Sequence, residues 1–303
     1  MEFWNLNVDG FTKIINKSNK ISIDWQLSNV CNFNCPYCPE ESKNGSSGWP
    51  NLENCYNVVD TFSKKGLCEF SFSGGELTMW KDLSKLFSYI KQKGDHKIHL
   101  ITNGYKSSNY WKKLDVDIIT FSWHPTNNLN ISKWCNNINL CNVKSKRVWV
   151  LSYPPIWDKV VHDYEYFKNN LKDIRILELK YVDERSEKIS YNQEQLKFIG
   201  NNFIKKKEIG KFSLIINGNE EYFSIPNILS KNMNNFNGWK CNAGVKNFVL
   251  KTNGDVFPTS GCTVGRSLGN WFTNNFKSLK EPLICNVDKC WCGPDIKIEK
   301  WKV

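Results

Sequence analysis

The sequence predicts an α/β fold: a partial (β/α)6 TIM-like barrel followed by a small C-terminal domain that contains a β-hairpin. Strand-like and helix-like segments alternate six times between residues 21 and 210, which is typical of a parallel sheet. One face of these strands is repeatedly polar, whereas a closed eight-stranded barrel fills its interior with bulky branched side chains. Six strands with a polar lining therefore indicate an incomplete barrel that encloses a ligand.

Each predicted strand is followed by a segment with helical periodicity. The predicted strands are 21–28, 68–73, 97–102, 117–123, 147–153 and 174–182. Apolar residues recur at i, i+3, i+4 and i+7 in the segment from Leu83 to Ile90, and a similar stripe runs from Val160 to Leu171. On the fourth strand, Thr120 and Ser122 share the polar face with the position of His124.

The chain is predicted to divide into four parts. Residues 1–20 are an N-terminal extension, and 21–210 are the barrel. Residues 211–238 hold a hairpin whose predicted strands are 212–216 and 222–225, with its turn at Asn217-Gly218, and an Asn-rich linker over 227–237. Residues 239–303 form the C-terminal domain, where Asn253-Gly254 marks a second hairpin.

Composition narrows the class of protein. The formal net charge is +11, but only four of the 41 basic residues are arginine, the residue best suited to bidentate phosphate contacts, so nucleic acid is not the favoured partner. No run of 18 apolar residues predicts a membrane span, and the first ten residues do not resemble a signal peptide. We expect a cytoplasmic protein, in which 12 cysteines indicate metal binding rather than disulfides.

The strongest local signal is the segment Cys31-Asn-Phe-Asn-Cys35-Pro-Tyr-Cys38, directly after the first predicted strand. Three thiolates on one loop can hold three irons of a 4Fe–4S cluster and leave the fourth iron open, whereas four cysteines would close the site. A zinc site is the alternative, although no fourth cysteine or histidine lies nearby in sequence.

This spacing, with Tyr37 before the last cysteine, resembles the signature of the radical S-adenosylmethionine (radical SAM) superfamily. Gly74-Gly75-Glu76 after the second strand resembles the GGE motif of that family, whose backbone meets the methionyl amino group of the cofactor. The resemblance implies further cofactor contacts at Tyr37 in the cysteine segment, at Thr102 and Asn103, which end the third strand, and at Ser122. All of these residues lie at or near the C-terminal ends of strands, where barrel active sites are built.

The resemblance also implies a reaction class. One electron from the reduced cluster cleaves S-adenosylmethionine to methionine and a 5′-deoxyadenosyl radical, which abstracts hydrogen from a substrate. An electron donor such as flavodoxin or ferredoxin is implied as a partner. Such a radical must be shielded from water, so an enclosed site is a physical requirement.

A second group of cysteines lies near the end of the chain. Its five members are Cys241, Cys262, Cys285, Cys290 and Cys292. With the hairpin at Gly254, they resemble the auxiliary-cluster domains called SPASM and, in shorter form, twitch. Five cysteines suffice for one further 4Fe–4S cluster, and which four bind it stays open. A zinc ribbon is the alternative.

Four side chains are candidates for catalysis or substrate binding: His124, Tyr153, Glu178 and Lys180. His124 precedes Pro125 at the barrel mouth and is as compatible with a structural role as with a general base. The other three lie on inward faces of the fifth and sixth strands, where they suit a polar substrate. The isolated thiols Cys55, Cys68, Cys135 and Cys141 are interpreted as buried and inert, with a hydrogen-atom donor among them as the alternative.

Several substrates are compatible with these features. The polar lining favours a carbohydrate or nucleotide-linked small molecule that is oxidised, epimerised or rearranged. A ribosomal peptide is the alternative, although about 20 residues before the first predicted strand are too few for a separate leader-binding domain. RNA modification is supported only by the charge, and a zinc-stapled binding protein is the alternative without enzymatic activity.

Overall fold

The computed structural model describes residues 10–182, 189–205, 212–223, 225–261 and 267–303. These residues form two compact units. The barrel unit draws on 25–60 and 69–207, and the terminal unit on 1–24, 61–68 and 208–303. No helix among the described residues combines the length and the apolar character that crossing a bilayer requires.

The described secondary structure comprises seventeen strands and eight α-helices. The strands are β1 Phe11–Asn16, β2 Ile21–Ser28, β3 Cys68–Gly74, β4 Lys97–Thr102, β5 Ile118–Trp123, β6 Ser145–Leu151, β7 Ile174–Lys180, β8 Phe203–Lys205, β9 Phe212–Ile216, β10 Asn219–Glu221, β11 Lys240–Cys241, β12 Asn247–Leu250, β13 Asp255–Phe257, β14 Gly269–Asn270, β15 Asn275–Phe276, β16 Leu283–Ile284 and β17 Lys300–Trp301. The helices are α1 Leu52–Ser63, α2 Leu83–Gln92, α3 Ser108–Trp111, α4 Ile131–Asn139, α5 Trp157–Asn170, α6 Gln193–Asn201, α7 Ile225–Ser230 and α8 Gly293–Ile296.

In the barrel unit, the strands follow one another in chain order from β2 to β8. Strands β3 to β7 pair in parallel, and β8 pairs antiparallel with β7 at the edge. This confirms the predicted α/β fold, a partial (β/α)6 barrel. Its helix-facing core is aromatic: Trp134 of α4 packs on Trp123 of β5 and on Phe167 of α5, each with ring centroids 5.0 Å apart.

The other face of the sheet is polar, as the sequence predicts. Ser71, His99 and Thr120 lie on three adjacent strands and are linked through the His99 ring. Its Nδ1 lies 3.3 Å from Ser71 Oγ, and its Nε2 lies 2.8 Å from Thr120 Oγ1. Because each ring nitrogen has a hydroxyl partner, this polar chain is stable without a charged group.

The terminal unit contains a six-stranded sheet in the order β10-β9-β1-β17-β11-β16. The sequence placed the first strand at Ile21, but β1 precedes it and pairs antiparallel with β9 and β17. Phe11 and Ile14 of β1 are buried with Leu214 of β9 and with Phe236 and Trp239. The buried residues of β1, Phe11 and Ile14, are three positions apart, with a register shift between Phe11 and Lys13, so the sequence lacks the alternation typical of a strand.

Two further predictions in this unit are wrong in detail. The turn Asn217-Gly218 is present with positive φ at both residues, as a type I′ hairpin requires, but the returning strand is β10 and Ile225 begins helix α7. The predicted linker over 227–237 includes the end of α7 and the buried residues Met233, Asn234 and Phe236. Its asparagines predicted an exposed chain, but core packing of its apolar residues prevails.

The predicted hairpin around Gly254 is present. Strands β12 and β13 pair antiparallel, with Val249 opposite Phe257 and Leu250 opposite Val256. Gly254 has φ +91, a conformation that favours glycine. Lys251 and Asp255 close the turn through the bond from the Lys251 N–H to the Asp255 carbonyl at 2.9 Å.

Candidate active site

The first cysteine group lies on the loop that follows β2 in the barrel unit. Cys35 is buried, whereas Cys31 and Cys38 are half-buried. A tight turn joins two of them, since the Cys38 N–H donates to the Cys35 carbonyl at 3.1 Å. Burial raises the pKa of the Cys31 thiol, and the negative charges of Glu76 and Cys35 raise it further. A thiol in this setting becomes a thiolate only with a nearby positive charge or a metal.

Cys35 is the best anchored of the three. The side-chain amide of Asn127 donates to Cys35 Sγ at 3.2 Å, and His124 Nδ1 lies 3.3 Å from the same sulfur. Lys43 Nζ donates to the Cys35 main-chain oxygen at 2.9 Å. Two side chains from the loop after β5 therefore face one sulfur of the cysteine loop.

Tyr37 and Tyr153, predicted for the cofactor and for catalysis, lie together beside this loop. Their ring centroids are 5.0 Å apart, and both rings are buried. The Tyr37 hydroxyl lies 3.0 Å from His124 Nδ1, and the two rings stack at an angle of 9°. Burial lowers the pKa of His124 to about 4, so its imidazole is neutral at physiological pH.

The two glycines of the GGE segment lie at the end of β3, Gly74 as its last residue and Gly75 directly after it, and both approach the start of the cysteine loop. A Cβ on Gly74 would lie 2.2 Å from the Ser28 carbonyl oxygen, and one on Gly75 would lie 2.1 Å from the Val30 carbonyl oxygen. Gly75 and Glu76 donate their N–H groups to these same carbonyls at 2.7 and 2.8 Å. Because glycine has no side chain, the backbone at 74–75 can contact the backbone at 28–30.

Glu76 is almost completely buried, at 1% exposure, and every polar contact of its carboxylate is internal. Oε1 accepts from Thr78 N at 3.1 Å, from Thr78 Oγ1 and from Thr102 Oγ1 at 2.8 Å. Oε2 accepts the Asn103 N–H at 2.7 Å. Burial raises the pKa of Glu76, although these donors oppose that shift. The carboxylate therefore fixes the loop after β4.

Asn103 also reaches the cysteine loop directly. Its side-chain amide donates to Asn32 Oδ1 at 2.8 Å, and its carbonyl accepts the Trp134 indole N–H at 2.9 Å. The loops after β2, β3 and β4 are consequently joined by side-chain hydrogen bonds. The structure brings Cys35, Tyr37, Glu76, Thr102, Asn103 and His124 into this one region.

The remaining candidates lie on the polar face of the sheet. Ser122 of β5 pairs in register with Trp149 of β6, which pairs with Glu178 of β7. Ser122 is buried, whereas Trp149 and Glu178 are half-buried. Lys180 is exposed, and its Nζ lies 5.2 Å from the centroid of the Trp149 ring. These residues share one face of the sheet, and their geometry assigns them no chemical role.

The four isolated thiols are buried: Cys55, Cys68, Cys135 and Cys141 are each 3% exposed or less. Burial raises the pKa of all four, and it raises that of Cys68 to about 12. These thiols are protonated at neutral pH and poor nucleophiles. This environment supports the interpretation that they are inert.

Three residues of the site were missed by the sequence analysis: Asn32, Lys43 and Asn127. Asn32, within the cysteine loop, accepts a hydrogen bond from Asn103. Lys43 donates to the Cys35 carbonyl, and Asn127 donates to Cys35 Sγ. Asn127 follows His124 by three residues, after the end of β5. The signal available for Asn127 was its position just after a strand. Asparagine is so frequent in this sequence that this position did not distinguish it.

The C-terminal cysteines lie in the terminal unit. Cys241, Cys285 and Cys290 line one cavity, together with Asp295 and Lys300. Cys292 is half-buried and does not line that cavity, and Cys262 lies outside the described residues. Within the described ranges, no three His, Cys, Asp or Glu side chains are grouped as the ligands of a single metal ion.

Cys290 is held in place by the segment that the sequence assigned to a linker. Its N–H donates to the Asn234 carbonyl at 2.9 Å, and the Asn234 side-chain amide donates to the Cys290 carbonyl at 3.2 Å. Cys285 extends the ladder beyond β16, since its N–H donates to the Trp239 carbonyl at 2.8 Å. The cysteines of this cavity are therefore fixed by backbone bonds.

Comparison with known proteins finds a family that is similar to part of the chain. Residues 25–144 match the family described as the Radical SAM superfamily. The chain is 33% identical over 103 residues to 7,8-dihydro-6-hydroxymethylpterin dimethyltransferase of Methanocaldococcus jannaschii, and 31% identical over 103 residues to GTP 3′,8-cyclase of Haemophilus ducreyi. Each match covers 32% of this chain, but only 20% and 30% of the relatives.

Solved structures resemble the chain over more of its length. SuiB of Streptococcus suis, bound to precursor peptide SuiA, aligns with TM-score 0.59 and 12% identity over 84% of this chain and 63% of SuiB. The enzyme anSMEcpe, with bound AdoMet and Kp18Cys peptide, aligns with TM-score 0.56 and 18% identity over 84% of this chain and 78% of its own. At these identities the likeness shows the fold.

Proposed function

We propose that this chain, an enzyme with a radical SAM domain at residues 25–144, abstracts hydrogen from a polar substrate. Such a domain uses a 4Fe–4S cluster and S-adenosylmethionine, which together supply the 5′-deoxyadenosyl radical that removes the hydrogen atom. The observation that carries the proposal is the cysteine loop, where Asn127 and His124 face Cys35 Sγ.

The residues present suit a cluster with three cysteine ligands. Cys31, Cys35 and Cys38 lie within eight residues of one loop. The Asn127 amide N–H aimed at Cys35 Sγ is the kind of donor that stabilises a metal-bound thiolate. In this proposal Cys31, Cys35 and Cys38 hold the cluster, and Asn127 fixes the orientation of Cys35.

The GGE segment and its neighbours would hold S-adenosylmethionine. In the proposed site, the exposed backbone around Gly74 and Gly75 meets the amino group of the cofactor. Thr102, Asn103 and Ser122 offer polar groups at neighbouring strand ends, and Tyr37 packs beside the loop. Glu76 positions this site, because its carboxylate is fully occupied by Thr78, Thr102 and Asn103.

The proposed substrate is a polar small molecule, such as a carbohydrate or a nucleotide-linked compound. Two observations support this choice. The half-buried ring of Trp149 offers a flat surface beside the charged groups of Glu178 and Lys180. The two curated relatives, judged by their names, act on a pterin and on GTP. Glu178, Lys180 and Tyr153 would bind polar groups or exchange protons.

A peptide is the second candidate, favoured by one observation. SuiB and anSMEcpe each have a solved structure with a bound peptide, SuiA in one and Kp18Cys in the other. A peptide backbone would find hydrogen-bonding partners on the same polar face. A flavodoxin or ferredoxin is proposed as the electron donor in either case.

We also propose a second 4Fe–4S cluster in the terminal unit, within a SPASM- or twitch-like domain. The three cysteines around one cavity, Cys241, Cys285 and Cys290, support this proposal. Cys262 and Cys292 are the two candidates for the fourth ligand. In an oxidation, such a cluster would accept the second electron removed from the substrate.

The reaction class is tested by measuring 5′-deoxyadenosine. Protein purified anaerobically and reduced with dithionite should form this product from S-adenosylmethionine, and Cys35→Ala should abolish it. The matched control is Cys55→Ala, which removes a buried thiol on α1 and should retain the product. Retained 5′-deoxyadenosine in Cys35→Ala would refute the proposed ligand set.

The substrate class is tested with two panels of compounds under the same conditions. Nucleotides and nucleotide sugars form one panel, and unmodified peptides of about ten residues form the other. A productive small molecule should raise 5′-deoxyadenosine formation above the uncoupled rate and should itself change mass. Stimulation and mass change confined to the peptides would reverse the preference between the two candidates.

A further inference from the structure

Lys300 of β17 is a buried cation beside the cysteine cavity of the terminal unit. Strands β11 and β17 pair antiparallel with Cys241 directly opposite Lys300. Residues directly opposite in such a pair point to the same face, with Cβ atoms about 4.5–5.5 Å apart. Lys300 is 2% exposed and lines the cavity with Cys241, Cys285 and Cys290.

The contacts of Lys300 satisfy its hydrogen-bonding capacity only in part. Its Nζ donates to the Asp295 main-chain oxygen at 2.8 Å and lies 4.2 Å from the centroid of the Phe236 ring. In the part of the chain that the structure describes, Lys300 forms no ion pair with a carboxylate. A buried ammonium without a paired anion has lost much of its hydration, so a nearby negative charge stabilises it.

Asp295 is the acidic residue that lines the same cavity. Its carboxylate is directed to the backbone: Oδ1 accepts the Ser260 N–H at 3.1 Å, and Oδ2 accepts the Gly261 N–H at 2.7 Å. Burial raises the pKa of Asp295, although these two donors and the charge of Lys300 oppose the shift. The Asp295 carboxylate is thus hydrogen-bonded to the backbone at 260–261, and its charge acts on Lys300 without a direct ion pair.

We propose that Lys300 compensates the negative charge of the iron–sulfur cluster held at this cavity and thereby raises its reduction potential. The inference rests on the proposed second cluster. Thiolate ligands give a cluster net negative charge, and one-electron reduction adds a further negative charge. An ammonium on the same face as Cys241 stabilises the reduced state more than the oxidised state, because attraction grows with the charge on the cluster. Lys300 therefore acts through its positive charge and is not a ligand of the cluster.

The neighbour of Cys241 in β11 provides a matched control. Lys240 pairs with Trp301 and points to the opposite face of the sheet, where it is exposed. Lys300→Met and Lys240→Met therefore remove the same charge from the same pair of strands, but on opposite sides. Lys300→Gln is a second neutral variant that retains a donor for the Asp295 carbonyl, and Lys300→Arg retains the charge.

The experiment uses the full chain with Cys31, Cys35 and Cys38 all replaced by alanine, so that only the C-terminal site can hold a cluster. After anaerobic reconstitution with iron and sulfide, iron is counted and the midpoint potential is measured by a dithionite titration followed by electron paramagnetic resonance. We expect about four irons per chain. Lys300→Met and Lys300→Gln should shift the potential to more negative values, whereas Lys300→Arg and Lys240→Met should match the parent.

Each other outcome has a defined meaning. An unchanged potential in both neutral variants, or an equal shift in Lys240→Met, overturns the role of Lys300 and leaves the second cluster intact. Iron bound by Lys300→Arg but lost from both neutral variants supports a requirement for charge, whereas loss from all three overturns it. A parent that binds no iron refutes the second cluster itself, and with it the role of Lys300.

Discussion

Glu76 and Asn103 are joined by a hydrogen bond of 2.7 Å from the Asn103 N–H to Oε2 of the buried carboxylate. This contact ties the segment after β3 to the loop after β4. Asn103 in turn donates to Asn32 in the cysteine loop. The geometry of three loops in the candidate active site thus depends on one carboxylate.

Glu76→Gln tests this dependence. A glutamine has one acceptor oxygen where the carboxylate has two, so at least one of its buried donors loses its partner. We expect the free energy of unfolding of the apoprotein to fall by about 1–3 kcal/mol and the affinity for S-adenosylmethionine to fall with it. Urea denaturation and equilibrium dialysis measure the two effects. If the variant is destabilised but binds S-adenosylmethionine with unchanged affinity, the carboxylate has no role in cofactor binding.

Gly75→Ala tests the close approach of the two backbones. Its Cβ would lie 2.1 Å from the Val30 carbonyl oxygen, which forces the start of the cysteine loop to move. We expect lower iron content after anaerobic reconstitution. Gly200→Ala in α6 is the control, because a Cβ there meets nothing within 4 Å. It should retain iron and gain about 0.5–1 kcal/mol of stability. Equal iron contents would show that the loop tolerates the shift.

His124→Phe tests the contact with Cys35. Phenylalanine retains a ring to stack on Tyr37 but removes the nitrogen 3.3 Å from Cys35 Sγ. Loss of an outer-shell partner typically lowers metal affinity or activity by about 10–100-fold. We expect a loss of that size in the rate of 5′-deoxyadenosine formation, with a changed electron paramagnetic resonance signal of the reduced cluster. A normal rate and signal would make His124 a packing residue only.

Cys241→Ala tests the second cluster in the otherwise unmodified chain. Wild-type protein should contain roughly seven to eight irons if both clusters form, and this variant about four. The residual iron should still support uncoupled cleavage of S-adenosylmethionine, because Cys31, Cys35 and Cys38 are intact. Anaerobic iron analysis checks the prediction. A wild-type chain with about four irons, unaffected by Cys241→Ala, would argue for a tail without a cluster.

The barrel unit was predictable because its signals are local. The apolar stripe from Leu83 to Ile90 reflects burial of one helix face, and Thr120 and Ser122 alternate with apolar residues along β5, although all six β5 positions are buried. The cysteine spacing likewise lies within one loop. These features can be recognised in the sequence because each depends only on residues that are close together in the chain.

The rest depended on contacts between residues far apart in the chain. Strand β1 was missed because its partners, β9 and β17, lie about 200 and 285 residues away. The same holds for the pairing of Cys241 with Lys300 and for the contact of Asn127 with Cys35. The spacing of residues along the sequence does not reveal such pairs.

The place of β1 between β9 and β17 has a consequence for biosynthesis. Ile14 pairs with Lys300, so the sheet that carries Cys241 is complete only after the ribosome has delivered residues near position 301. Contacts this distant along the chain close slowly, since loop-closure entropy must be overcome first. At the proposed second site, the C-terminal cysteines would therefore be held in place for metal binding only after β17 has been synthesised.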